Sequence, residues 1–215
     1  VNLIVRFYDV TDGEILIDGV NIKDYKLEYL YKLIGYVPQR AVLFNGTVNS
    51  NISYGEAMEK ISDKKIVEAS KVAQADEFIS KMDDGYESHI AQGGTNVSGG
   101  QKQRLALART IITNPEIYIF DEATSNIDVE SEEKVWESIY KLAKNKTVIV
   151  ISHRLANVKN ADSIYVLDKG HIVENGKHKE LMMSKNKYYE LVTHQANLEN
   201  IYKEDVEIEE VAVNE

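Results

Sequence analysis

Asn96-Val97-Ser98-Gly99-Gly100-Gln101-Lys102-Gln103-Arg104, followed at Ile117–Asp128 by IYIFDEATSNID, decides the fold of this chain. The first block sets a small hydroxyl and two glycines directly before a run, Gln101 to Thr110, that reads as helix. Serine and bare backbone N–H groups then stand at a helix N-terminus, where partial positive charge collects and anions bind. The second block is a short apolar run, Ile117 to Phe120, ending in the adjacent carboxylates Asp121 and Glu122. Buried parallel strands have this composition, and open α/β sheets bind ligands outside the carboxyl ends of such strands. An anion cradle followed shortly by a strand ending in paired carboxylates points to nucleotide and Mg2+ chemistry.

Downstream, Thr147 to Ile151 is a second parallel-strand candidate, ending in Ser152-His153-Arg154. The amphipathic stretch Val129 to Lys144 lies between, with Val135, Ile139 and Leu142 at helical spacing. A right-handed strand–helix–strand crossover puts the ends of Phe120 and Ile151 on one sheet edge, so Asp121, Glu122 and His153 can converge. A lone histidine is more often structural; one at a strand end facing two carboxylates is a better candidate. Upstream, Lys26 to Leu33 reads as a helix closed by Gly35, and Tyr36-Val37-Pro38 as a strand leading to Gln39. By itself Gln39 is a solvated loop glutamine, with both a donor and an acceptor.

The remaining stretches complete an α/β outline. Val1 to Phe7 reads as the tail of a helix, Glu14 to Ile17 as a strand, and Asp12-Gly13 and Asp18-Gly19 as turns. Ser62 to Ala73 and Asp76 to Met82 read as helices, so that roughly Gln39 to Thr110 forms a helical insert. Leu43 and Phe44 suit either a core or, if exposed, a docking surface. Ser163 to Leu167 and His171 to Glu174 read as a hairpin, Lys177 to Ser184 and Tyr188 to Leu198 as helices, and the acidic residues after Ile201 as a loosely ordered tail.

Composition narrows the classes. The 215 residues, 43% hydrophobic and 28% charged, suit one globular domain. No apolar run approaches the ~18–20 residues that span a bilayer. The net charge of −10, with no basic stripe, excludes a general nucleic-acid binder. With no cysteine there is no disulfide framework or thiolate metal site, as fits a reducing compartment. The opening VNLIVRFYDV lacks a basic n-region, so no signal peptide is expected.

These residues resemble the ATP-binding cassette of an ABC transporter, most like the exporter type, over nearly the whole chain. VSGGQ stands in the place of the family's signature, IYIFDE of its Walker B motif, SNID of its D-loop, YVPQ of its Q-loop and His153 of its H-loop. LFNGTVNSNISYG follows the exporter pattern, and Gln92 stands where exporters usually carry Glu. The resemblance implies an α/β P-loop NTPase (RecA-like) core of mostly parallel sheet over 1–38 and 111–198, a helical signature subdomain over 39–110, and an acidic tail over 199–215. It implies ATP and Mg2+ as cofactors. Asp121 would hold Mg2+, with Gln39 sensing metal and water. Glu122 would act as general base, and His153 would orient the γ-phosphate. Ser98, Gly99, Gly100 and Gln101 would clamp nucleotide held by an opposing cassette, and Asp128 would lie at that dimer interface. Implied partners are a second cassette, identical or not, and a transmembrane domain reached through the Q-loop region, at the cytoplasmic face of a membrane.

No G-x-x-x-x-G-K-[ST] phosphate loop occurs in the chain. The resemblance therefore implies that the chain starts just after that motif, lacking the central phosphate-loop strand and an N-terminal β-subdomain, and that it is marginally stable and inactive alone. Other classes remain. A chromosome-maintenance ATPase would separate its halves by coiled coils, and no heptads occur between Gln39 and Ser98. A translation-associated protein would carry paired cassettes and basic linkers. A non-catalytic remnant acting as an interaction or regulatory module would keep the fold and dimer surface.

Overall fold

The computed structural model describes residues 1–54 and 61–197. It divides into two compact units, Val1–Ile151 and a second beginning at Ser152. The acidic tail expected over 199–215, and Leu198 at the end of the last expected helix, lie outside the described residues.

The first unit opens in turns, not in the regular helix tail expected for Val1 to Phe7. Phe7 N–H donates to the Asn2 carbonyl at 2.9 Å and Arg6 N–H to the Leu3 carbonyl at 3.2 Å, with Arg6 at φ 56°. Those paired bonds around a left-handed residue are the geometry that closes a helix C-terminus. The hairpin β1 (Leu16–Ile17) and β2 (Val20–Asn21) turns through Asp18 and Gly19, at φ 49° and 79°. Two positive φ angles match the right-handed twist of paired strands, which is why Asp-Gly suits the position.

Helix α1 (Leu27–Leu33) runs straight into strand β3 (Ile34–Val37). Gly35 does not end the helix, as its sequence position suggested; it lies inside β3. A Cβ there would meet Pro115 Cγ at 2.6 Å and Thr110 Cγ2 at 2.7 Å, so close passage of another segment requires the glycine. Then come β4 (Gly46–Thr47), α2 (Val48–Ile52), α3 (Asp63–Val72), α4 (Asp76–Ile79) and β5 (His89–Ile90). Helix α4 is shorter than expected, and β4 pairs antiparallel with β5, a ladder too short for periodicity to reveal. Leu43 is fully buried, in the core and not at a surface.

Helix α5 (Gly99–Ile112), strand β6 (Ile117–Asp121), helix α6 (Val129–Ala143) and strand β7 (Thr147–Ile151) follow. The parallel sheet runs β3-β6-β7, with Val37 opposite Phe120 and Asp121 opposite Ile151. Alternation along β6 feeds two cores. Ile119 packs with Val5, Ile22, Leu30 and Ile34, while Tyr118 and Phe120 pack with Leu105, Leu107, Val135, Trp136 and Ile139. Each such fully buried side chain contributes roughly 1.5–3 kcal/mol. In the second unit, β8 (Ile164–Asp168) and β9 (His171–Gly176) form the expected hairpin. Helix α7 (His178–Ser184) and a helix over 187–197 complete a small core of Ile164, Val166, Leu181 and Tyr188. No helix among the described residues is long and apolar enough to cross a membrane.

Candidate nucleotide and metal site

At the carboxyl edge of the sheet, β6 ends in Asp121 on the face shared by Ile119. Tyr36, register partner of Ile119, reaches past it and donates its hydroxyl to Asp121 Oδ2 at 3.1 Å. Burial, together with that bond, pushes the Tyr36 hydroxyl above the usual phenol range, so it stays a donor. Glu122 breaks the strand: its backbone sits at φ 50°, its N–H donates to the Ile151 carbonyl at 2.9 Å, and its carbonyl accepts Ser125 N–H at 3.1 Å. A non-glycine residue held left-handed costs roughly 1–2 kcal/mol, and such strain gathers at functional positions. The Glu122 carboxylate accepts a short hydrogen bond from Gln39 Nε2. Thus Gln39, distant in sequence, shares one edge with the adjacent pair Asp121 and Glu122.

Ser98 caps α5. Its Oγ accepts Gln101 N–H at 3.2 Å, and Gln101 Oε1 accepts Ser98 N–H at 2.9 Å, a reciprocal box that fixes the first turn. The expected cradle is therefore a helix N-terminus whose initial N–H groups, on Gly99 and Gly100, have no intrahelical partner. Both glycines lie against the loop after β6. A Cβ on Gly99 would make ordinary contact with Asn126 Cβ at 3.5 Å, but one on Gly100 would strike the Asn126 carbonyl oxygen at 2.6 Å. Asp128 caps α6 by accepting Ser131 N–H at 2.9 Å. Bonds from Ser131 hold its carboxyl below the usual range, with Arg104 adding a smaller attraction. Arg104 Nη1 stands 3.9 Å from Asp128 Oδ2 and donates to Ser131 Oγ at 3.1 Å.

Two contributors escaped the sequence reading. Gln103, only 1% exposed, donates from Nε2 to the Gln39 carbonyl at 3.1 Å and to Ser125 Oγ at 3.4 Å, and accepts Asn126 N–H on Oε1 at 3.0 Å. Its spacing three and four residues beyond the glycines was the available signal, since those positions share a helix face. Buried Glu132 accepts the Thr124 hydroxyl at 2.7 Å and so pins the same loop to α6. His153 belongs to the second unit, just past β7.

Among the described residues no group of three or more His, Cys, Asp or Glu could hold a metal. Asp121 and the Gln39 amide supply hard oxygens. Mg2+ characteristically takes one or two carboxylates and completes its shell with water and substrate phosphates, so this donor set fits nucleotide-borne Mg2+.

Residues 1–125 match the family model described as "ABC transporter". The chain is 47% identical, over its whole length, to 34% of an "ATP-dependent lipid A-core flippase" of Syntrophus aciditrophicus (strain SB). Over 91% of its length it is 48% identical to 15% of "Multidrug resistance protein 1" of Entamoeba histolytica. The solved "Structure of a bacterial Atm1-family ABC exporter with ATP bound" is similar over 91% of the chain and 34% of that structure, at 39% identity and a TM-score of 0.87. The chain spans about a third of the length of most of these relatives.

Proposed function

The chain belongs to the ABC transporter family, and from that premise we propose that it is the ATP-hydrolysing cassette of an exporter that moves a lipid, small molecule or peptide across a membrane. The observation that carries this is the bond from Gln39 to Glu122 beside Asp121, at the sheet edge where nucleotide chemistry is done.

The family's pattern and these contacts together support a role for each residue. Tyr36 holds Oδ2 of Asp121, and Asp121 Oδ1 would be the oxygen offered to Mg2+. When bound, Mg2+ neutralises charge that develops on the transferred phosphoryl group. Glu122 would accept the proton of the attacking water as general base, steadied by the Gln39 amide nitrogen, while the Gln39 amide oxygen would serve metal and water. His153 donates to the γ-phosphate. Ser98, Gly99, Gly100 and Gln101 present a helix N-terminus to nucleotide held by a second, identical or different cassette. Asp128 lies at that interface, and the segment after Gln39 meets a transmembrane domain at the cytoplasmic membrane face. No phosphate-loop lysine motif occurs among these residues, and we expect them not to turn over ATP alone.

The test compares ATP binding and hydrolysis by the chain with the same chain extended upstream through a phosphate loop, and with Glu122→Gln in the extended form. We expect turnover only in the extended protein, lowered at least about 100-fold by Glu122→Gln while ATP stays bound. An extended protein that neither binds nor hydrolyses ATP would overturn the proposal in favour of a non-catalytic interaction module.

A further inference from the structure

We propose that Gln103 is a positioning residue that sets the general base, a role resting on the ATPase assignment above. Three bonds place it. Its amide nitrogen holds the main-chain carbonyl of Gln39, while the side chain of that same Gln39 holds the Glu122 carboxylate. Its amide oxygen holds Asn126 N–H, and its nitrogen also reaches Ser125 Oγ, in the loop that Glu122 begins. The bonds close a ring from Glu122 through Gln39 and Gln103 to Ser125 and Asn126, then back along the chain to Glu122.

One side chain thus grips the loop after β3, the loop after β6 and the helix that carries the anion cradle. The grip has little slack. Gly100 lets the α5 backbone approach so closely that any Cβ would strike the Asn126 carbonyl. Gln103 lies one turn further along the same face and is 1% exposed, so no water replaces its bonds. A shift at the first turn of α5 is therefore carried through Gln103 to Gln39, which holds the carboxylate, and to the loop that Glu122 begins. Occupation of the cradle and orientation of the base become one event.

The chemistry of the amide supplies the test. Methionine matches its length but makes none of the three bonds. Glutamate keeps the acceptor for Asn126 N–H, but when ionised it cannot donate to the Gln39 carbonyl and repels it. A carboxyl buried against a carbonyl has a raised pKa, and protonation restores the donor. In the protein extended through its phosphate loop, we expect Gln103→Met to lower kcat about 10–100-fold with KM for ATP within about threefold, the signature of misplacement. We expect the turnover of Gln103→Glu, as a ratio to wild type at each pH, to rise about tenfold between pH 8 and pH 6. Amide exchange should quicken together over residues 38–42 and 122–127 in Gln103→Met. Gln103→Met turning over within threefold of wild type, or a pH-independent ratio for Gln103→Glu, overturns the positioning role. If Gln103→Met does not fold, the pH ratio decides alone. A wild type without ATPase activity sinks the cassette assignment instead; the ring then stands or falls on whether exchange rises in both segments together.

Discussion

The loops that follow β3 and β6 leave adjacent strands at one sheet edge, and α5 tethers both by opposite means. The loop after β6 is held by a neutral amide, Gln103, and by glycine contact close enough to exclude a methyl group. The segment after β3 shares that amide at Gln39, but from Val42 onward it is held by a charge. Arg109 donates to the carbonyls of Asn51 at 2.7 Å and Val42 at 3.0 Å, and to Asn51 Oδ1 at 3.0 Å. Its guanidinium also lies over Phe44 and Tyr54, at 5.2 and 5.7 Å from rings themselves stacked at 4.1 Å. Burial lowers the pKa of Arg109, leaving a strong base that remains cationic. A cation over ring faces keeps its attraction as the rings slide, whereas an amide bond against a glycine contact does not. One loop is fixed for chemistry; the other is anchored yet adaptable, as suits the segment proposed to meet a moving partner.

The strongest challenge to this contrast is Arg109→Met. It removes the side-chain donor from the carbonyls of Asn51 and Val42 and one of two donors from Asn51 Oδ1, which keeps Phe44 N–H. We expect a loss of about 2–4 kcal/mol in denaturant unfolding; a loss below about 1 would mean that the charge is not the anchor. Next comes the glycine pair. Gly100→Ala should cost about 1–3 kcal/mol through overpacking against backbone, whereas Gly99→Ala should be neutral or stabilising by up to about 1 kcal/mol through helix propensity. Equal tolerance at both positions would show that the contact has slack. The smallest effect belongs to Asp128→Ala, about 0.5–1 kcal/mol for an exposed cap. Because the folded-state pKa of Asp128 is depressed, its contribution is full above about pH 4 and is lost as pH falls through the folded value. The gap between variant and wild type should close in acid; one that widens in acid assigns the cap to another group.

The frame of the sheet was legible from residues alone. Ile117 to Phe120 and Thr147 to Ile151 are apolar runs of strand length, and Val129 to Lys144 carries a clear helical stripe. Ser98 and the two glycines directly before a helical run marked the N-terminus of α5. Gly35 misled because a glycine after a helical pattern has two meanings, termination or close passage, and only the positions of Thr110 and Pro115 choose between them. The β4–β5 ladder was too short to have a period. Gln103 and Arg109 were hidden for a different reason. A polar residue in a helix reads as solvated until its distant partners, Gln39 and Asn126 or Val42 and Asn51, are known.

The left-handed backbone at Glu122 has a consequence for mutational drift. Glycine relieves this conformation and asparagine adopts it more readily than glutamate, by on the order of 1 kcal/mol for glycine. A cassette released from selection for hydrolysis would have a downhill substitution waiting at the residue proposed as the general base. This chain carries the carboxylate there in spite of that backbone cost, as fits the general-base role proposed for it.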